Sequence, residues 1–276
     1  MKKAKVLFVS QDITPYLDET YIGKISRRLP QGIQERGKEI RTFMPKYGNI
    51  NERRHQLHEV IRLSGMNLVI NDVDHPLIIK VASIPSARMQ VYFIDNEEYF
   101  SRKSTLTDKT SGKYFDDNDE RSMFFVRGVV ETVKKLGWQP DIIHCHGWFT
   151  SLLPMYIKKY YADEPLFAES KITVSLYNDE YPKSLNKKFA EKLSFDGFNK
   201  KDLKHIVEES NHLNIQKQAI EYADAIIQGD ETMHPELEKH IKKSGKPFLG
   251  YKNEIEYLDA FNEFYDSILQ EVDVLS

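Results

Sequence analysis

Two histidines one residue apart, His144 and His146, close the segment "PDIIHCH". On a strand, residues two apart share a face, so both imidazoles point the same way. Such a pair can move protons or ligate a metal. Zinc needs third and fourth ligands that the surrounding sequence does not supply, so no metal site is expected. The ordinary alternative is a structural His-x-His pair with Trp148 packed beside it. A second candidate lies in "VLFVSQDITPYLDETYIGKISRRLP", where a buried strand gives way to a helix with apolar residues at Ile22, Ile25 and Leu29. The turn between them, Leu17-Asp18-Glu19-Thr20-Tyr21, has two acids and no glycine before Gly23. Nucleotide-binding α/β domains place glycines there, so that backbone N–H groups can approach a phosphate. A third group, Asp117, Asn118 and Arg121, opens a helix, where a cap and a surface ion pair would account for it.

The elements that carry these residues alternate. "EIRTFMP" reads as a second strand and "KYGNINERR" as a polar loop. "EVIRLSG", "MNLVIND", "LIIKVASI" and "MQVYFID" read as a strand-rich excursion. Residues 101–118 read as an exposed loop. Asn118 is the expected N-cap of the helix "DERSMFFVRGVVETVKKLG", which stops at Gly137. "WFTSLLPMYIKKYYA" reads as a helix kinked at Pro154. "KITVSLY" and "DAIIQG" are strands, with "IQKQAIEYA" and "HPELEKHIKKSG" as helices. Strand–helix units in series predict a mostly parallel, doubly wound, Rossmann-like α/β sheet. The segment "NEIEYLDAFNEFYDSILQEV" predicts an amphipathic helix, with Ile255, Leu258, Phe261, Tyr265, Ile268, Leu269 and Val272 on one face. The expected organisation is a domain over residues 1–250 and a C-terminal helix over 251–276 that packs on it.

The 276 residues carry a formal net charge of −3, which gives no electrostatic case for nucleic acid. One cysteine, Cys145, excludes an internal disulfide and fits a reducing compartment. No apolar run approaches the ~18 residues of a membrane span. A cytoplasmic protein without membrane contact is expected.

The segments "VYFIDNEEYFSRK" and "FDDNDERSMFFVRGVVETVKKLGWQPDIIHCHGWFTSLLP" resemble the first domain of the bacterial glycogen and plant starch synthases. "FMPKYGNI" and "IEYADAI" extend the likeness from about Lys5 to Gln228. These are glycosyltransferases of family 5 with two Rossmann-like domains facing across a cleft, the GT-B arrangement. They transfer glucose from ADP-glucose to an α-1,4-glucan. The resemblance implies one half of that architecture, an α-glucan partner, no cofactor, and ADP-glucose as donor substrate. It implies that His146 matches the histidine at the donor glucose, with His144, Trp148, Asp117, Asn118 and Arg121 around the site.

Departures from the family pattern qualify that role. The family's Lys-Thr-Gly-Gly in the first turn aligns with Asp18, Glu19, Thr20 and Tyr21. The aspartate after the second histidine is Gly147, and Ser175-Leu176 stand where His-Asn is usual. Exchanging Lys for Asp changes the local charge by two units, each interacting by about 4 kcal/mol at ~4 Å and an effective dielectric of ~20. Even reduced severalfold by solvent, that outweighs the ~1.4 kcal/mol of a tenfold change in affinity. Tyr21 adds bulk where a glycine allows close approach. The expectation is a chain that holds the acceptor side of the cleft and is weakly active or inactive alone. The alternative is a non-catalytic glucan-binding or regulatory protein of glycogen metabolism. Tyr160, Tyr161, Tyr177 and Tyr181 are candidates for stacking on sugar rings. The second domain, which supplies the cations for the donor diphosphate, is expected to be lost, with its crossing helix kept as a lid. A partner protein or a homo-oligomer could complete the cleft.

Overall fold

The computed structural model describes residues 3–181 and 183–273, with side chains of the last helix to Gln270. The chain opens with β1 (Lys5–Ser10) and passes through α1 (Tyr21–Glu35) to β2 (Glu39–Pro45). A one-turn α2 (Glu52–His55) leads into β3 (His58–Glu59), β4 (Met66–Ile70), β5 (Val73–Ile84) and β6 (Met89–Asp95). Short α3 (Glu97–Phe100) and a polar loop precede α4 (Asn118–Leu136) and β7 (Ile142–His146). Then come α5 (Leu153–Met155), β8 (Lys171–Leu176), α6 (Phe189–Phe195), α7 (His212–Tyr222) and β9 (Ala225–Gln228). The path ends with α8 (Pro235–Ser244), β10 (Phe248–Leu249) and α9 (Tyr257–Asp273).

The strands lie in the order β10-β9-β8-β7-β1-β2-β6-β5-β3, with β4 paired to β5. Pairing is parallel from β10 through β6, and antiparallel in the β3–β5 excursion at the edge. β1 lies between β2 and β7, so the winding reverses at β1 and β7. A ligand site in such a sheet forms at the carboxyl ends of the strands where the winding reverses. The fold is the mostly parallel, doubly wound α/β sheet expected.

Side-chain alternation splits the core in two. Leu7, Val9, Ile143 and Cys145 face the larger cluster, where α4 is buried over most of its length. Val6, Phe8 and Ile142 face the smaller one, formed with Ile25, Leu29 and Ile33 of α1 and Tyr257, Phe261 and Tyr265 of α9. No helix of the described residues is long and apolar enough to cross a membrane.

Several local expectations are corrected. In "EVIRLSG" only Glu59, with His58 before it, lies in a strand and pairs with β5; residues 61–63 form a turn, Val60 and Gly65 each give one N–H to β5, and Ile61 is exposed. The loop after β2 contains α2. Pro154 does not kink a continuous helix. It sits in the first turn of α5, where its missing N–H costs nothing, and the chain then widens into a π-helix over Tyr156–Tyr160. On α9, Phe261, Tyr265 and Ile268 are buried, whereas Ile255 precedes the helix and is 90% exposed. The side chain of Val272 lies outside the described residues.

Candidate functional site

Asp12 follows β1, Asp179 follows β8 and Asp230 follows β9, so the carboxyl edge brings three acids together. With Thr20, Tyr21 and Tyr177 they line an open pocket of about 290 Å³. Among the described residues, no Lys, Arg or His lines it. Burial, with Asp179 nearby, pushes Asp12 up to about 6. Burial, again with Asp179, also raises Asp230. Burial is the larger cause of both shifts, and the like charge of Asp179 adds to it.

The first turn adds to that field. Thr20 is the N-cap of α1: its Oγ1 accepts from the Gly23 N–H at 2.9 Å and donates to Asp12 Oδ2 at 2.9 Å. The positive end of the helix, which could bind a phosphate, is therefore capped from within the chain and faces Asp12. Thr20 keeps an extended backbone. Tyr21, 37% exposed, sets its ring edge against Tyr177. Asp18 lies on the other side of the turn. It borders a second pocket of about 290 Å³ with Asn49, Ser104, Thr107 and Lys109, which also shares Asp12 and Thr20.

His144 and His146 share one sheet face, and neither ring reaches solvent. His144 Nδ1 pairs with Tyr265 Oη at 2.6 Å and its Nε2 with Ser175 Oγ at 2.7 Å. His146 Nδ1 pairs with Tyr177 Oη at 2.8 Å, and its Nε2 is buried without a partner. Burial pulls His146 down to about 3 and His144 well below its ordinary value, the latter helped by His146. Both rings are therefore neutral at pH 7. Tyr177 stands between His146 and the carboxylate pocket, so a sugar could reach this imidazole only if the tyrosine moved.

The other expected residues fall in two places. Trp148 is buried, sets its indole edge-on to Tyr181, and donates its backbone N–H to Asp179 Oδ2 at 2.7 Å. Gly147 has φ +86°, and a Cβ there would come within 2.4 Å of the Gln11 side chain. Gln11 thus occupies the space beside a position where the family carries an aspartate. Asp117, Asn118 and Arg121 form a clamp under the 99–107 loop. Asp117 pairs with both Nη groups of Arg102, at 2.9 and 2.6 Å. Asn118 donates to Leu106 O. Arg121, fully buried, donates to the carbonyls of Tyr99 and Thr105. Asn118 is therefore the first helical residue rather than the cap, and Arg121 is an interior anchor rather than half of a surface ion pair.

Of the candidate stacking tyrosines, Tyr161, Tyr177 and Tyr181 are buried, and only Tyr160 is exposed, its ring against Arg127. Sequence reasoning missed Asp12, Asp179, Asp230 and Gln11. The signal for the three acids was available, since each directly follows a parallel strand.

A doubly wound sheet with its pocket at the β1/β7 reversal defines a Rossmann-like α/β domain. The family model described as "Starch synthase catalytic domain" matches residues 5–247, and the chain belongs to that family. The glycogen synthase of Chlorobium luteolum is 35% identical over 238 residues, 84% of this chain and 48% of that protein. The glycogen synthase of Chlorobaculum parvum is 33% identical over 250 residues, 89% of this chain and 49% of that protein. That of Chlorobium limicola reaches 41% over a shorter stretch of 174 residues. The chain thus spans about half the length of the curated relatives it matches. The catalytic domain of starch synthase IV from Arabidopsis thaliana, solved with ADP and acarbose, shares the fold. The TM-score is 0.71 at 20% identity, covering 91% of this chain and 52% of that one.

Proposed function

We propose that this chain forms the acceptor side of a glucan glucosyltransferase cleft and that these residues alone turn over ADP-glucose weakly or not at all. One observation carries the reading: the pocket at the β1/β7 reversal gathers Asp12, Asp179 and Asp230 with no cation among its described lining residues. A diphosphate entering there would meet like charge in a partly buried site, whereas transfer requires positive charge on the departing diphosphate. The neighbouring pocket suits a neutral polyol better. Asn49 and Thr107 offer donors and acceptors for sugar hydroxyls, Ser104 Oγ, which donates to the Thr107 carbonyl, offers an acceptor, and Arg121 and Asn118 fix the loop that presents them. The α-glucan belongs there, in a cytoplasmic protein that meets a partner protein or a second copy of itself.

Calorimetric titration of the full chain with maltoheptaose and, separately, with ADP-glucose tests this. The expected result is saturable binding of maltoheptaose, weakened at least about tenfold by Ser104→Ala/Thr107→Ala, a loss of roughly 1.4 kcal/mol, and none of ADP-glucose below about 1 mM. Sub-millimolar binding of ADP-glucose by the unmodified chain would overturn the donor half of the proposal. Failure to bind maltoheptaose would overturn the acceptor half.

A further inference from the structure

Away from the carboxyl edge, three potential ligands that are distant in sequence converge. His205 lies on the loop after α6, Glu221 in the last turn of α7, and His240 on α8. A donor atom from each lies within 4.8 Å of the other two, the one such trio of His, Cys, Asp or Glu among the described residues. His205 Nε2 stands 3.5 Å from Glu221 Oε2. The rings of His205 and His240 meet edge-on, with centroids 5.0 Å apart. His205 Nε2 is buried, and the Glu221 carboxylate at 3.5 Å is too far to give it a well-formed hydrogen bond. The trio borders an open pocket of about 370 Å³.

We infer that His205, Glu221 and His240 form a site for a divalent transition metal, with zinc the occupant that the donor set fits best. Two imidazole nitrogens and one carboxylate oxygen leave a fourth position open, a combination that suits zinc. Metal–ligand bonds of about 2.0–2.1 Å place tetrahedral donors ~3.3–3.4 Å apart. The His205–Glu221 separation is already close to that. His240, only partly buried on an outer helix, has a donor atom within 4.8 Å of the other two and closes the remaining gap, at most about 1.4 Å, by a rotamer adjustment.

The surroundings fit a moderate affinity rather than a tight one. Glu221 already pairs with Lys204 at 2.7 Å, and Lys204 is half exposed and able to swing away. Lys204, Lys243 and Lys246 also line the pocket; their charge opposes a cation and favours water or a small anion as the fourth ligand. The metal would tie the loop after α6 to both helices.

The test is a calorimetric titration of the metal-stripped full chain with Zn2+, paralleled by the visible absorption of Co2+ as a report on coordination. The expected result is one equivalent bound, with a Co2+ band of four- or five-coordinate intensity and a Zn2+-dependent rise in melting temperature. His205→Ala and His240→Ala should each weaken binding at least about tenfold, and Glu221→Gln by less. His58→Ala, at an exposed histidine remote from the trio, should leave binding unchanged. If His205→Ala fails to fold, His240→Gln on the outer helix carries the same comparison. Absence of saturable binding below about 1 mM, or binding that survives His205→Ala/His240→Ala, would overturn the assignment.

Discussion

Strand β7 presents Ile143 and Cys145 to one side of the sheet and His144 and His146 to the other, and the two sides are held differently. On the first, Ile143 and Cys145 sit in the larger apolar cluster beneath α4, whose buried charged residues Arg121 and Arg127 bond to other elements rather than to β7. On the second, the apolar patch of Val6, Phe8 and Ile142 gives way to polar groups toward the carboxyl edge: His144 to Ser175 and Tyr265, His146 to Tyr177. Apolar packing is non-directional, so it fixes volume more strongly than orientation. The bond from Tyr265 to His144 is directional and buried, so it specifies how α9 seats on the sheet.

That contrast can be broken at α9. Tyr265 is fully buried, so Tyr265→Ala should lower unfolding free energy in denaturant by about 3–5 kcal/mol, the range for deleting a large buried aromatic. Tyr265→Phe keeps the ring and leaves His144 Nδ1 unpaired, and should still cost about 1–3 kcal/mol. A neutral Tyr265→Phe would mean that the two faces are held by the same apolar packing.

Acid should sharpen the contrast next. In the unfolded chain both imidazoles titrate near 6.5; in the folded chain burial holds His146 near 3 and His144 well below its usual value. Between these limits the unfolded state binds more protons, so stability is greatest above about pH 6.5 and falls as pH drops below it. The slope is about 1.4 kcal/mol per pH unit for each ring. Asp12, raised to about 6, acts in the opposite sense between about pH 4 and 6 and offsets part of the slope. Melting temperatures from pH 7.5 to 5 should therefore fall more steeply for the unmodified protein than for His146→Asn; equal slopes would sink the assignment.

The smallest effect belongs to the other face. Ile143→Val, one methylene removed from the apolar core, should cost about 0.5–1.5 kcal/mol and leave the pH slope unchanged, as denaturant melts at two pH values would show.

Much of the scaffold was legible because its signals are local. The unbroken apolar run "VLFV" marks a strand buried on both faces, and Gly137, at φ +56°, ends α4 where the pattern stops. The first turn was also legible, since the acids at Asp18 and Glu19 and the bulk of Tyr21 are properties of residue type. "EVIRLSG" was misread for the converse reason. Its β-branched residues fit a strand, but the ladder with β5 holds only through Glu59, and beyond it the backbone reaches β5 only through the single N–H groups of Val60 and Gly65. Ile255 was placed on a helical face by periodicity alone, yet the helix begins after it.

The sequence by itself determined the family, the order of strands and helices, and the loss of lysine and glycines from the first turn, because each is carried by residue type and short-range spacing. Tertiary structure alone decided that Tyr177 covers His146, that Asp12, Asp179 and Asp230 meet at one edge, and that His205, Glu221 and His240 converge between a loop and two helices. Hydrogen bonds, burial and charge repulsion act over a few ångströms between residues far apart in the chain, and only the winding of the sheet sets those distances.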